Sequence, residues 1–283
     1  AIGYVALEKN TGSYNTAVGS RSLDVNTTGT GNVALGYQSL TSNTTANNNT
    51  ALGYGAMAAN TTGANNTAVG YGALDANTTA NANTAVGYNA LTVNTTGTEN
   101  AAFGAYALQE NLGSYNSAFG DQCLDANTTG TRGTAVGNNA LTNNTTGNYN
   151  TAVGDAALAS NTTANDNVAM GRQALTTSAT GNDNVAIGNY ALYTANGASD
   201  NTAVGKSALY ANTTANKNTA VGRNALASNT TGEWNTAVGA YALDANTDGQ
   251  TNSALGYGAL GANTGGDDNV AVGHEAMQSN TTG

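Results

Sequence analysis

Residues 83–97 read NTAVGYNALTVNTTG, and close copies of this segment fill the chain from end to end. Aligned on the central glycine, the segment occurs seventeen times, with a spacing of 17 residues except for two steps of 16. The central glycines are Gly3, Gly19, Gly36, Gly53, Gly70, Gly87, Gly104, Gly120, Gly137, Gly154, Gly171, Gly188, Gly205, Gly222, Gly239, Gly256 and Gly273. A short fixed period is typical of a solenoid, in which only the stacking of coils creates a core. The sequence therefore predicts an all-β β-solenoid (β-roll) of about 17 coils, in a single repeat domain over residues 1–283.

The composition limits the classes of partner. Only 8% of the residues are charged, and seven basic against seventeen acidic residues give a net charge of −10. Because phosphate groups are bound by clustered Lys and Arg, we expect neither nucleic acid nor an anionic membrane surface as a partner. No apolar segment approaches the roughly 20 residues of a spanning helix, so we expect no membrane insertion. The chain opens within a repeat, at Ala1, and we interpret it as a fragment or processed product of a longer chain.

The apolar residues of the repeat occupy fixed positions, numbered here from the central glycine. Position −1 is Val, Ile, Leu, Met or Phe in all repeats, −2 is always Ala, and −3 is mostly Thr or Val. Strand periodicity places −3 and −1 on one face and −2 on the other. We expect −1 to form the core with the Leu or Met at +4, and the Ala face to pack on a neighbouring subunit or another layer. The short Ala-Leu segment at +3 and +4 fits a strand or one helical turn, and we favour a strand.

Asn dominates two further positions. Position +7 is Asn in fifteen of the seventeen repeats, usually followed by Thr-Thr, and position −4 is Asn with Gly133 as the one exception. Because Asn adopts left-handed backbone angles and bonds its own backbone, we expect a corner of the coil at +7. The eleven Asn-Thr-Thr triplets are formal glycosylation acceptors, but we interpret them as turns. Asn side chains stacked about 4.8 Å apart can form amide ladders, so we expect two ladders.

The strand segments resemble those of a known family. Residues 32–36 read NVALG, residues 184–188 read NVAIG, and residues 269–273 read NVAVG. These segments look like the strand motif of trimeric autotransporter adhesin heads, and the whole repeat is similar to repeats of phage tail-fibre-like and bacterial surface-fibre proteins. The resemblance implies a left-handed β-roll, usually a parallel trimer, that is exported and used for attachment. The repeat is longer than that of the adhesin heads, and residues 1–283 include no segment that resembles their neck, heptad stalk or membrane anchor.

The sequence contains no constellation of residues for catalysis, for a cofactor or for a metal. The only histidine, His274, lies at +1, where several other repeats have Tyr, and we interpret it as a surface substitute for Tyr. The only cysteine, Cys123, lies at +3 among Ala and Ser, and we interpret it as a small buried thiol. Without a His or Cys pair, or a Ser with a His partner, we expect no enzyme activity.

Three acidic residues follow one another at position −5. Asp166, Asp183 and Asp200 belong to successive repeats, and Lys217 continues the position. Stacked carboxylates could hold Ca²⁺, but the Gly- and Asp-rich nonapeptide of calcium-binding rolls is absent. We therefore favour solvated side chains, with Lys217 relieving the repulsion at one end.

A candidate surface-binding stripe consists of tyrosines in four consecutive repeats. They are Tyr37, Tyr54, Tyr71 and Tyr88, all at position +1. Tyr offers a flat apolar face and a polar tip, which suit a sugar or a protein partner. Stacking that only stiffens the coils is the alternative interpretation, and we favour it.

The sequence leaves two classes of function open. The first is a structural and adhesive protein of the extracellular space, the cell surface or a virion fibre. It would associate with copies of itself through the Ala face or end to end as a filament, and bind a glycan of a host or environmental surface. The second is an ice- or carbohydrate-binding protein that uses a flat Thr/Asn face. Val residues interrupt the Thr at −3 and weaken that face; they are Val33, Val168, Val185 and Val270.

Overall fold

The computed structural model describes all residues, 1–283, and consists of short strands joined by turns. It contains two compact units, Ala1–Thr146 and Gly147–Gly283, with eight three-residue strands each. The strands of the first unit are β1 (Thr16–Val18), β2 (Val33–Leu35), β3 (Thr50–Leu52), β4 (Thr67–Val69), β5 (Thr84–Val86), β6 (Ala101–Phe103), β7 (Ser117–Phe119) and β8 (Thr134–Val136). Those of the second are β9 (Thr151–Val153), β10 (Val168–Met170), β11 (Val185–Ile187), β12 (Thr202–Val204), β13 (Thr219–Val221), β14 (Thr236–Val238), β15 (Ser253–Leu255) and β16 (Val270–Val272).

In each unit the strands pair in chain order and all pairs are parallel. The register joins equivalent positions of successive repeats, as in the pairing of Ala34 with Ala51 in the first unit and of Ala186 with Ala203 in the second. The first repeat contributes only an isolated bridge from Ile2 to Val18. The predicted all-β β-solenoid with a 17-residue repeat is thereby confirmed. The left-handed winding and the single domain over 1–283 stay predictions.

The core is built from the opposite face of the strand to the one expected. The Ala at −2 is buried in every strand, as at Ala51 and Ala203, whereas −3 and −1 point outward and are half-buried or exposed. The interior also holds the Leu or Met at +4 and the small residue at +3, as at Leu74 and Ala73. The prediction that −1 forms the core was wrong. The coil is narrow, because one strand and two turns complete its circuit. The space between the strand and the Leu side chains at +4 therefore holds the methyl group of Ala but not the larger side chain of Val.

The Ala-Leu segment is neither a strand nor a right-handed helical turn, and both interpretations were wrong. Two successive turns follow the strand, closed by hydrogen bonds from Ser22 N to Gly19 O and from Asn26 N to Leu23 O. The residue at +4 is left-handed in every repeat, with φ between 49° and 55°. This backbone conformation turns the Leu side chain into the core. A hydrogen bond to the next coil, such as Leu40 N to Ala56 O at 3.0 Å, then holds the segment in place.

The central glycine is required by both its backbone angle and its surroundings. Its φ lies between 126° and 144°, a region that residues with a side chain rarely enter. An added Cβ at Gly53 would also press into the backbone of Gly70 in the next coil, 2.7 Å from its carbonyl carbon and nearer still to its oxygen. Stacked coils therefore touch at this point, which accounts for glycine in all seventeen repeats.

The two predicted Asn ladders are confirmed within each unit. At +7, Asn43 Nδ2 donates to Asn26 Oδ1 of the preceding coil at 2.8 Å and to Ala46 O of its own corner at 3.2 Å. At −4, Asn32 Nδ2 donates to the same Ala46 oxygen at 2.9 Å, and its backbone N–H donates to Asn15 Oδ1. The corner is thus closed by side-chain hydrogen bonds. The left-handed Asn that the sequence predicted at +7 does not occur.

The side chains of the Asn-Thr-Thr corner are engaged inside the coil. The Asn residues at +7 are almost fully buried in the coils between the first and the last, which confirms the interpretation of these triplets as turns. The 16-residue step at Asn111 shortens the same corner, where Asn111 Nδ2 donates to Gly113 O at 2.8 Å. The strands on either side, β6 and β7, keep their register.

Candidate functional surface

The outward positions −3 and −1 of the strands form an exposed surface that we name the outer face, described separately for β1–β8 and for β9–β16. Its side chains are Thr or Val at −3, with Ala or Ser in three strands, and Val, Leu, Ile, Met or Phe at −1. Leu35 is 46% exposed and Met170 is 42% exposed. No strand carries a charged residue at either position. The Ala at −2 is internal, so the expected association through an Ala face was wrong, and the outer face is the apolar surface that remains.

The size of the outer face follows from strand geometry. Eight strands about 4.8 Å apart extend roughly 34 Å, and three residues span about 10 Å, which gives about 340 Å² for each unit. The largest apolar patch on a typical monomer measures about 300–600 Å² and is often functional. The outer face of each unit, with its Thr residues included, is therefore about as large as the largest apolar patch of an ordinary monomer.

The two phenylalanines of the outer face lie on adjacent strands. The rings of Phe103 and Phe119 stack with centroids 4.9 Å apart and planes 7° apart. On these two strands position −3 is Ala101 and Ser117, smaller than the Thr or Val found there in most other strands. A large outward side chain thus stands beside a small one, so the face has a ridge next to a hollow.

The four tyrosines of the predicted stripe form one stack, which we name the tyrosine ladder: Tyr37, Tyr54, Tyr71 and Tyr88. Successive ring centroids lie 5.2, 5.2 and 5.4 Å apart, with planes 24°, 9° and 13° apart. Tyr88 also meets Tyr106 edge-on at 5.3 Å. Each inner ring has a neighbour on both faces, so a flat ligand could stack only at the ends of the ladder. Edges and hydroxyl groups remain exposed, and binding of a sugar or protein stays a prediction.

The Thr-Thr corner offers fewer free hydroxyl groups than its sequence indicates. The first Thr donates its hydroxyl to the backbone of the next coil, as from Thr27 Oγ1 to Thr44 O at 2.9 Å and from Thr61 Oγ1 to Thr78 O at 3.0 Å. At residues 94–96 the second Thr also takes part, because Thr96 Oγ1 donates to Leu112 O at 3.3 Å. A flat Thr array is therefore better provided by the −3 positions of the outer face, where the hydroxyl groups point outward.

The single cysteine and the single histidine lie where the sequence indicated. Cys123 is fully buried at +3, its thiol donates to Gly137 O at 2.7 Å, and burial raises its pKa to about 11. His274 is exposed and its ring stacks on Tyr257 at 5.2 Å, as a substitute for Tyr at +1. A buried thiol with a raised pKa is a poor nucleophile.

Lys217, which follows the three Asp residues at position −5 of the second unit, contacts an aromatic ring. The ammonium group of Lys217 lies 4.2 Å from the centroid of the Trp234 ring, a cation–π contact with the following coil. Lys217 was expected to reduce the repulsion among Asp166, Asp183 and Asp200, but its ammonium group is directed to Trp234 instead. No three His, Cys, Asp or Glu side chains are grouped so that they could hold a metal ion.

An open cleft of about 600 Å³ lies in the second unit, where two glycines interrupt outward positions. Its lining includes Gly258 at +2, Gly261 at +5, Tyr241, Asp244 and Glu275. Burial raises the pKa of Asp244. The lining has carboxylate, carboxamide and hydroxyl groups but no histidine, cysteine or lysine, so it lacks a nucleophile paired with a base.

Comparison of the chain with protein-family models, with curated proteins and with solved structures finds no match. The resemblance to adhesin heads and tail-fibre repeats therefore stays a prediction. The chain also forms no helix of the length and hydrophobicity that a transmembrane span needs. What is established is a β-solenoid repeat protein whose architecture is consistent with a structural rod.

Proposed function

We propose that the chain is a structural and adhesive fibre protein, an exported β-solenoid that associates with copies of itself through the outer face. The observation that carries the proposal is the absence of charge: none of the sixteen strands has a charged residue at −3 or −1. The flanking positions −5 and +1 hold Asp, Glu, Lys and Arg in several repeats. Natural sheets place charges on strands that must stay in water, and a neutral apolar face marks an interaction surface.

The partner that fits this face is a second copy of the chain. With a net charge of −10, two copies repel each other wherever their charged positions meet, and the outer face is where they can approach without like-charge contact. Phe103 beside Ala101 supports a side-by-side parallel pairing. At equal height, the Phe of one copy would fill the hollow that the Ala of the other leaves.

Copies that associate in this way would form a fibre. Stacked coils lengthen without changing cross-section, since each coil contacts only its neighbours. The proposal places the protein in the extracellular space, on a cell surface or in a virion fibre, where it would bind a host or environmental glycan. The resemblance of residues 184–188 to adhesin strand motifs supports this placement.

Sedimentation velocity over a range of protein concentrations tests the self-association. The variant Val136→Lys adds a charge to the outer face, where Val136 is 38% exposed. The matched control Asn138→Lys adds the same charge two residues away, at the exposed +1 position that holds Lys206 and Arg223 in other repeats. We expect the wild type to associate, Val136→Lys to need at least tenfold more protein, and Asn138→Lys to behave as the wild type. A wild type that stays monomeric, or two variants that weaken association equally, would overturn the proposal.

A second candidate function is the binding of ice or of a carbohydrate by the Thr/Asn surface. It is favoured by the outward Thr at −3 on nine of the sixteen strands, repeated at the strand spacing. Phe103 and Met170 at −1 disturb the flatness that such a surface requires. Thermal hysteresis of the purified protein, abolished by Thr67→Lys, would support this candidate over self-association.

A further inference from the structure

The tyrosine ladder is the most regular aromatic feature of the first unit. Its rings are nearly parallel, and each is about half exposed, between 43% and 52%. The backbone repeats itself from coil to coil, so equivalent atoms of neighbouring rings face each other. The ring carbons next to the hydroxyl group of one Tyr therefore stand beside the same carbons of the next.

The surroundings of the ladder leave tyrosine as the oxidisable group on this surface. Residues 22–131 contain Met57 and Cys123, and both are fully buried, whereas the only Trp is Trp234 in the other unit. No Lys or Arg occurs between Arg21 and Arg132, so no cation covers these rings. Because the ring faces cover each other, the accessible atoms are the hydroxyl oxygens and the ring edges.

We propose that the tyrosine ladder is a site of oxidative cross-linking, at which adjacent rings are joined by a carbon–carbon bond between their ortho positions to give dityrosine. Each of two phenols loses one electron and one proton and becomes a phenoxyl radical. The two unpaired electrons form the new bond, and the hydrogens on the bonded carbons move to the oxygens as the rings become aromatic again. Hydrogen peroxide, acting through a haem peroxidase, accepts the two electrons and two protons and becomes two molecules of water.

The bond would tie consecutive coils together covalently. Two tyrosines of the ladder are 17 residues apart in sequence, so each cross-link closes a loop of one coil and lowers the entropy of the unfolded chain. Each ring has two ortho carbons, so the four rings could carry up to three successive bonds. This covalent reinforcement acts on the side of the coil next to the outer face and does not depend on association between copies.

Treatment of the folded chain, residues 1–283, with a haem peroxidase and hydrogen peroxide tests the proposal. Cleavage before aspartate separates residues 24–74, which contain Tyr71, from residues 75–120, which contain Tyr88. We expect dityrosine fluorescence and these two peptides joined by one bond. In a mixture of ¹⁵N-labelled and unlabelled chains, both joined peptides should carry the same label, which places the bond within one chain.

The variant Tyr88→Phe keeps a ring in the ladder but removes the hydroxyl group that forms the radical, and should lower the yield of this joined pair at least tenfold. Tyr115→Phe is the matched control, because Tyr115 lies on the same peptide and is 47% exposed, as Tyr88 is, but contacts the Arg132 guanidinium at 5.1 Å. Absence of dityrosine in the folded chain, equal loss in both variants, or bonds mainly between differently labelled chains would overturn the proposal. So would the same yield of this pair from the urea-unfolded chain.

Discussion

The close contact between central glycines can be tested by two substitutions in one coil. Gly53→Ala places a methyl group at a backbone with φ of 142° and against the backbone of Gly70. Gly55→Ala, two residues later, places the same group at φ of 64° with no heavy atom within 4 Å. The position of Gly55 holds Gln38 and Asn89 in other coils, both left-handed, so a side chain is tolerated there. The pair therefore separates the effect of stacking from that of an added methyl group.

The two variants should differ in free energy of unfolding by about 2–3 kcal/mol. Alanine in a backbone region almost restricted to glycine costs about 1–3 kcal/mol. Relief of the overlap weakens the flanking bonds Gly53 N to Leu35 O and Gly70 N to Leu52 O, both 2.8 Å, at about 1 kcal/mol each. The total for Gly53→Ala is about 3–5 kcal/mol. For Gly55→Ala, a left-handed Ala costs about 1–2 kcal/mol. The lower entropy of the unfolded chain offsets both variants equally, by about 0.4–1 kcal/mol, and cancels in their difference.

Urea unfolding followed by far-ultraviolet circular dichroism measures the difference, and amide hydrogen exchange locates it. Because each coil contacts only its neighbours, the loss of exchange protection in Gly53→Ala should centre on residues 33–72. Equal destabilisation by the two variants would refute the reasoning. So would unchanged exchange around Gly70, since the coils would then not touch at the central glycine.

Two further predictions concern the buried amides and the carboxyl groups. Asn60→Ala should destabilise the protein by about 3 kcal/mol in urea unfolding, because it removes three buried hydrogen bonds at about 1 kcal/mol each, with Asn43 Oδ1, Asn77 Nδ2 and Gly63 O, and leaves Asn43 Oδ1 without its donor. Exposed Asn48→Ala should change stability by less than about 0.5 kcal/mol. Burial raises the pKa of Asp75, Asp125 and Asp244 in the folded state, so the folded protein binds these protons more tightly than the unfolded chain. This contribution to stability is complete at a pH below the pKa that these groups have in the unfolded chain. It is lost as the pH rises through their higher pKa in the folded state. The melting temperature should therefore be higher near pH 4 than at pH 7, and Asp75→Asn, but not the exposed Asp183→Asn, should reduce that difference; a melting temperature that falls towards pH 4 would contradict the prediction.

The period of the sequence was sufficient to predict the coil, its register and its ladders. Each repeat contributes the same residue to the same place, so one alignment places Asn43 over Asn26 and Tyr71 over Tyr54. The omission of a residue next to Asn111 falls in the corner, where the chain can shorten without moving a strand. These features follow from repetition and require no knowledge of which side of the strand is internal.

The choice of internal face could not be made from hydrophobicity. Alternation in Thr-Ala-Val is satisfied by either face, and the larger apolar residue was assigned to the core. The deciding quantity is the width of the coil, because Leu74 already fills the space opposite the strand and leaves room only for the methyl group of Ala. Ala occupies −2 in all seventeen repeats, which indicates that the space for this side chain is small and the same in every coil.

The left-handed turn at +4 was also missed, although the sequence contains a signal for it. Val and Ile are frequent at −1 but never occur at +4, where only Leu and Met are found. Branching at Cβ makes a positive φ unfavourable, whereas Leu and Met branch later or not at all. The restriction of +4 to Leu and Met therefore indicates a left-handed backbone at this position, whereas the hydrophobicity of these residues indicates only that they are buried.

The bonding between coils also bears on the proposed role of the outer face. Each coil holds non-glycine residues with positive φ at −5, +2 and +4 in most repeats, at about 1–2 kcal/mol each, so a coil is stable only through bonds to its neighbours. Those bonds fix glycine at 0, Ala at −2, Leu or Met at +4 and Asn at −4 and +7, but they use no side chain at −3 or −1. The neighbouring positions −5 and +1, which are more exposed, accept charges of both signs. No hydrogen bond between coils constrains the side chain at −3 or −1, so the neutrality of these positions in every strand is the feature that the proposed self-association through the outer face would explain.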